Sequence, residues 1–154
     1  MDFRLAKEAD FEQLAHLRWD WRAEDNEIPA VSKEEFIRAF VQFLKQGLEA
    51  GSRAYWIAET EGEIVSHIFI QKIDLVPRPC RLQDQCGSVT NNYTKPNYRG
   101  QGIGSELMRH VKAWAKAQDF EVLISWPSDE AVRFYERAGF KKENDIVELK
   151  LRDY

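Results

Sequence analysis

The sequence predicts a single mixed α/β domain, on three observations. Segments with apolar residues at helical spacing alternate with β-rich runs along the whole chain. A glycine-rich turn, Arg99-Gly100-Gln101-Gly102-Ile103-Gly104, joins a strand-like segment to an amphipathic helix. No repeat, linker or low-complexity tract divides the 154 residues. One domain over 1–154 is long enough to bury roughly 70% of its unfolded surface.

Taken in order, Phe3 to Ala6 reads as a first strand. Asp10 opens a helix carrying Phe11, Leu14, Leu17 and Arg18 at helical spacing. The charged stretch Asp20 to Ala30 follows, and Ile28-Pro29 stops a helix there. Ser32-Lys33-Glu34-Glu35 is a capping box opening a second helix with the stripe Phe36, Phe40, Phe43, Leu44 and Leu48. Gly47 and Gly51 mark its end. Arg53 to Thr60 and Glu63 to Asp74 are strands around a tight turn at Glu61-Gly62. Leu75 to Leu82, with Pro77 and Pro79, is a loop.

Gln85 to Thr94 is the next strand, ended by Pro96, and the glycine turn follows it. A helix to about Gln118 buries Ile103, Leu107, Val111 and Trp114. Phe120 to Trp126 is a continuous apolar strand, which predicts burial on both faces. Pro127 breaks it, Ser128 caps a short helix to Ala138, and Gly139 sits at C′. From Phe140 on, two final strands are expected around Glu143-Asn144-Asp145.

Bulk properties narrow the partners. The net charge of −4 gives no general attraction to nucleic acid or an anionic membrane, so neither is expected as a partner. Met1-Asp2-Phe3-Arg4-Leu5 does not begin a signal peptide, and no stretch approaches membrane-spanning length. The expected location is the cytoplasm. Cys80 and Cys86, the only cysteines, do not form a CxxC, and His16, His67 and His110 lie far from them. No metal is expected. Two free thiols suit a reducing compartment, with a disulfide closing the 80–86 loop as the alternative. The histidines read as ordinary surface or hydrogen-bonded core residues.

The glycine turn carries the chemistry. N–H groups at a helix start have no internal partner, and the aligned peptide dipoles place positive charge there. Glycines let phosphate oxygens reach several of these groups together, and Arg99 adds a charge at the mouth. A dinucleotide fingerprint needs G-x-G-x-x-G near the start of a βαβ unit, whereas these glycines fall as G-x-G-x-G late in the chain. A Walker A loop needs a lysine before the serine, and Gly104-Ser105 has none. A tight turn without a ligand is the plain structural alternative.

Pro96-Asn97-Tyr98-Arg99-Gly100-Gln101-Gly102-Ile103-Gly104 resembles the acyl-CoA pyrophosphate loop of the GNAT N-acetyltransferase superfamily, Arg/Gln-x-x-Gly-x-Gly/Ala. About thirty residues on, Ala131-Val132-Arg133-Phe134-Tyr135-Glu136-Arg137-Ala138-Gly139-Phe140 is similar to that family's A-x-x-F-Y-x-x-x-G-F motif. The resemblance covers the chain in topology and residues 90–140 in motif. A narrower similarity, through Leu17 to Glu24, Val76 to Pro79 and Pro127 to Val132, is to a group of bacterial GNAT proteins.

The resemblance implies a mostly antiparallel sheet of six or seven strands with about four helices. In it a parallel pair, Gln85–Thr94 and Phe120–Trp126, splays apart. It implies acetyl-CoA as cosubstrate, with pantetheine along Asn92, Tyr93 and Thr94. The pyrophosphate falls on Arg99, Gly100, Gln101, Gly102, Ile103 and Gly104, with Ser105 adding a hydroxyl. Ala131 and Phe134 border the cofactor, and Ser128 stands where many relatives have a longer asparagine. The acceptor is a primary amine of a small molecule or peptide. The alternative is a non-catalytic acyl-CoA-binding or regulatory module. Monomers and homodimers are both expected states.

Acetyl transfer needs a neutral amine, a stabilised thioester oxygen and a proton for the departing thiolate. Tyr135 matches the family's general acid, and a phenol keeps its proton at neutral pH. Packing alone beside Phe134 and Phe140 is the other reading. Relatives often carry a strand glutamate as base, but Ser88 to Thr94 holds no carboxylate. Water held by Asn91 or Asn92, or an acid among Asp20, Glu24, Asp25 and Glu27, is left for that role. Those acids also suggest a cationic acceptor, although a solvated helix end explains any one of them. Trp19, Trp21, Trp56 and Trp126 are candidate pocket walls. The acceptor-site candidates are Trp21, Glu24, Glu27 and Asn91.

Overall fold

A computed structural model describes residues 1–143 and 147–152. Among these residues five strands form one sheet in the order β1-β2-β3-β4-β5. They are β1 (Asp2–Leu5), β2 (Arg53–Thr60), β3 (Glu63–Asp74), β4 (Gln85–Thr94) and β5 (Leu123–Ser125). The first four are antiparallel neighbours, and β5 runs parallel to β4. The helices are α1 (Phe11–Glu24), α2 (Lys33–Glu49), α3 (Ile103–Ala117) and α4 (Val132–Arg137).

Strand alternation sorts the core into two layers. Tyr55, Ile57, Phe69 and Tyr93 point to one face, where Phe11, Leu14 and Leu17 of α1 and Leu44 of α2 cover them. Ala54, Ile68, Ile70 and Val89 point to the other, against Leu107, Met108 and Val111 of α3 and Tyr135 of α4. Cover on both faces explains why β3 is buried without a break from Ile64 to Ile70. The hairpin of β2 and β3 turns at Glu61 and Gly62, both at positive φ.

Local signals act largely as read. Ser32 accepts the Glu35 N–H at 3.2 Å and starts α2. Gly139, at φ 96°, follows α4. Gly47 departs from its expected place as a helix end. It lies buried inside α2, where an added Cβ would sit 2.3 Å from the Tyr55 hydroxyl oxygen. It is there for close approach, and Gly51, at φ 64°, follows the helix end instead.

Two strand expectations change. Phe120–Trp126 forms a regular ladder only at Leu123–Ser125, preceded by single backbone bonds from Glu121 to Gln85 and from Gly87 to Val122, and none of it is fully buried, with Trp126 66% exposed. Its apolar run lacks a neighbour on the outer side among the described residues, so neither continuous pairing nor two-faced burial follows. The two strands expected after Phe140 do not appear among the described residues, which explains five strands rather than six or seven. Val147, Leu149 and Leu151 alternate with polar residues yet are exposed. Alternation selects a face but does not by itself form a strand, and these residues make no ladder among the described residues. Asn144 and Asp145 of the expected turn lie outside the described residues.

Candidate active site

The site is built where β4 leaves β5. The two strands pair at Gly87 with Leu123, Ser88 with Ile124 and Val89 with Ser125, and no further. Among the described residues, the half of β4 from Thr90 to Thr94 therefore has no strand partner on that side. On its other side β4 pairs with β3 through a bulge. The register passes from Phe69 opposite Thr90 to His67 opposite Tyr93, leaving Asn91 and Asn92 against one residue. Asn91 takes φ 47°, a left-handed conformation asparagine tolerates better than most residues.

The bulge sends consecutive amides to opposite faces. Asn91 Oδ1 accepts a hydrogen bond from Arg18 of α1 at 3.0 Å. Asn92 Nδ2 donates toward the Tyr135 hydroxyl of α4 at 3.5 Å. Tyr135 is buried, with its ring edge-on to Phe134 and Phe140. The functional and packing readings of Tyr135 meet here: the ring packs while the hydroxyl faces β4.

The glycine loop follows β4. Gly100 and Gly102 have φ of 73° and 77°, and Gly102 is the N-cap of α3 with no side-chain cap. The first α3 hydrogen bond runs from Glu106 N–H to the Gly102 carbonyl. Among the described residues no N–H from Gly100 through Ser105 has a protein acceptor, leaving six consecutive donors beside a positive helix dipole. At Gly104 an added Cβ would meet Phe134 at 3.4 Å and the Thr94 hydroxyl at 3.5 Å. The loop, β4 and α4 therefore converge at that residue.

Arg99 points away from the loop mouth. Its Nε donates to the Thr94 carbonyl at 2.8 Å, and its guanidinium meets Glu24 at 3.2 Å. Glu24 also accepts from the Tyr93 hydroxyl. Burial, and then this carboxylate, push the Tyr93 phenol well above its ordinary pKa. Trp21 stacks on Tyr93 with ring centroids 5.1 Å apart. Trp21, Glu24, Asn91 and Tyr93 thus come together, whereas Glu27 turns away to an ion pair with Arg22. Ser128 is exposed at the start of a short 3₁₀ turn before α4, and Ala131 packs under α4.

The remaining candidate acids are also engaged. Asp25 pairs with Arg22 at 3.0 Å and Asp20 with Lys33 at 3.8 Å. The negative charge that suggested a cationic acceptor is therefore shared with protein cations. Of the other tryptophans, Trp19 packs on Phe36 and Trp56 near Trp114, away from these residues. No group of three or more potential metal ligands occurs among the described residues. Cys80 and Cys86 are free thiols.

Two residues join the site that the sequence did not single out. Arg18 lies three positions before Trp21 and six before Glu24, a spacing that places all three on one stripe of α1. That spacing was the available signal. His67 is fully buried and is not the fully bonded core histidine expected. Its Nδ1 is 2.7 Å from the Asn91 carbonyl, so Nδ1 carries the proton and Nε2 the lone pair. Nε2 is enclosed without a partner. Burial pushes the His67 pKa down to about 4, against a smaller opposing effect of the Asn91 hydrogen bond.

The chain matches the acetyltransferase (GNAT) family over residues 11–140. No curated protein is significantly similar to it in sequence. Among solved structures it resembles a predicted acetyltransferase from Clostridium acetobutylicum determined with acetyl-CoA. The TM-score is 0.81 at 23% identity, over 97% of this chain and 96% of that one. A GCN5-related N-acetyltransferase from Ralstonia eutropha superposes with TM-score 0.75 at 23% identity, over 97% of both chains. Glucosamine-6-phosphate N-acetyltransferase from Arabidopsis thaliana gives 0.67 at 18% identity, over 98% of both. At these identities the superpositions speak for the fold. The family match over most of the chain goes further, and this protein belongs to the GNAT acetyltransferase family, enzymes of acyl transfer.

Proposed function

We propose that the protein is an acetyl-CoA-dependent N-acetyltransferase acting by direct attack of a primary amine, on a small molecule or a peptide. The observation that carries this reading is the run of six unpartnered N–H groups from Gly100 to Ser105 at the end of a strand whose edge has no strand partner among the described residues. Pyrophosphate needs several convergent donors, and pantetheine, with its amides, suits an open strand edge. Asn92, Tyr93 and Thr94 offer that edge, and Arg99 braces it from Thr94. Ala131 and Phe134 pack at the base of the cleft.

In this mechanism the amine nitrogen attacks the thioester carbonyl carbon, the C–S bond breaks, and the sulfur takes a proton from the Tyr135 hydroxyl. The amine proton passes to water held by Asn91 or Asn92, and the Tyr135 phenolate recovers a proton from solvent. His67 is too weak a base for that role, because burial keeps it neutral far below pH 7. Glu24 is held by Tyr93 and Arg99.

The test is thiol release from acetyl-CoA across a panel of primary amines, beside thermal shifts with acetyl-CoA, ATP and NAD. Amine-dependent thiol release with an acetyl-CoA-specific shift supports the proposal. Tight acetyl-CoA binding without release for any amine would make the protein a non-catalytic acyl-CoA-binding module.

A further inference from the structure

Arg18 is a half-buried cation with no direct ion-pair partner among the described residues. The acids that follow Arg18 on its helix and in the next segment are committed elsewhere: Asp20 to Lys33, Asp25 and Glu27 to Arg22, Glu24 to Arg99 and Tyr93. From the sheet, the facing groups are Asn91, His67 and Tyr93, none of them anionic at neutral pH. No carboxylate lies within ion-pair distance of Arg18 among the described residues.

The guanidinium is nevertheless held in place. It lies over the Trp21 ring, 4.8 Å from the centroid, and spends one N–H on Asn91 Oδ1. A guanidinium has five N–H donors in a planar fork. The others find no acceptor among the described residues, and no Arg18 nitrogen is among the enclosed unpartnered atoms there, so the free donors reach solvent. A desolvated, oriented cation with open donors fits a carboxylate or phosphate, both of which accept paired N–H bonds.

Its position relates it to the reaction. Arg18 binds the side chain of Asn91, and the next residue, Asn92, reaches Tyr135. An anion on Arg18 therefore lies one residue of β4 away from the proposed proton donor, on the α1 face.

We infer that Arg18 recognises the acceptor: the amine substrate also carries an oxyanion, a carboxylate or a phosphate, which binds the Arg18 guanidinium beside Asn91. The inference rests on the acetyl-transfer reading above and names the substrate class for that site. A small α-amino acid or a phosphorylated amino alcohol has the required chemistry.

Matched acceptors test it: L-alanine against L-alaninamide, and phosphoethanolamine against ethanolamine, compared at equal concentrations of neutral amine. At least about tenfold higher kcat/KM for the anionic member of one pair is expected, expressed mainly in KM. The pair that discriminates separates carboxylate from phosphate. Arg18→Gln brings that ratio close to one and Arg18→Lys restores part of it, while both variants keep the wild-type thermal shift with acetyl-CoA. Equal use of both members in both pairs, or an equal loss for both members in Arg18→Gln, overturns the inference. Calorimetric binding of the same compounds in the presence of CoA separates the two failures. Arg18-dependent binding of an anionic member without thiol release defeats acetyl transfer and keeps the anion site. Thiol release without discrimination defeats the anion site alone, and neither binding nor release defeats both.

Discussion

Tyr135 places a hydroxyl against β4 while its ring is fixed by Phe134 and Phe140, so the two parts of the side chain separate in a variant. Tyr135→Phe keeps the ring and loses only a long contact with Asn92. Turnover is expected to fall about a hundredfold, with acetyl-CoA affinity and melting temperature nearly unchanged; full activity in the folded variant would remove the acid role. His67 makes a second prediction, on stability. Its folded pKa lies near 4 against an ordinary 6.5, so between those values the unfolded chain binds a proton that the folded chain does not. Stability therefore falls as pH drops from about 6.5 to about 4, by on the order of 3 kcal/mol, and this contribution levels off below that. Replacing His67 with Phe is expected to flatten that slope in denaturant titrations. An unchanged slope would show that other groups carry it. The motif marks Tyr135, whereas nothing local marks His67, because a histidine's burial depends on what packs above β3.

At the scale of elements, the glycines divide by cause. Gly102 sits where α3 begins at positive φ and nothing crowds its missing Cβ, so backbone conformation alone requires it. Gly47 has an ordinary helical place, where alanine would normally stabilise by about 1 kcal/mol. Its neighbours reverse the sign. A Cβ there meets the Tyr55 hydroxyl, which donates to the Leu44 carbonyl at 3.0 Å, and the Arg53 side chain. Gly47→Ala is expected to destabilise by about 1–3 kcal/mol in urea unfolding; a stabilised variant would mean that α2 shifts freely over β2. The Ser32 cap, the β2–β3 turn and the glycine loop were legible because each is a local conformational requirement, whereas the returning Glu35 half of the capping box is not formed among the described residues. The short pairing of β5 was not, since an apolar run does not state whether a neighbour lies beyond it.

For the molecule as a whole, helices on both faces hold a sheet that is continuous through β4 and opens beyond Val89. A ligand that fills the opening binds only the folded state. At about a hundred times its Kd, acetyl-CoA adds about 2.7 kcal/mol, which raises Tm by roughly 5–11 °C for a chain of this size. No shift, under conditions where calorimetry shows binding, would mean that the unfolded chain binds the ligand as well as the folded one and that no folded cleft is needed. The amino-acid sequence by itself determined the order of the main elements, the glycine loop that opens α3 and the place of Tyr135 on α4. Each of these rests on short-range spacing, capping or backbone conformation. Tertiary structure alone decided which charges remain free. The acids after Trp19 read as a negative patch, but folding pairs them with Arg22, Lys33 and Arg99 and leaves Arg18 without a direct ion pair among the described residues. The pairs with Lys33 and Arg99 join groups remote in the chain, and Arg18 meets Asn91 only when α1 lies against the bulge of β4.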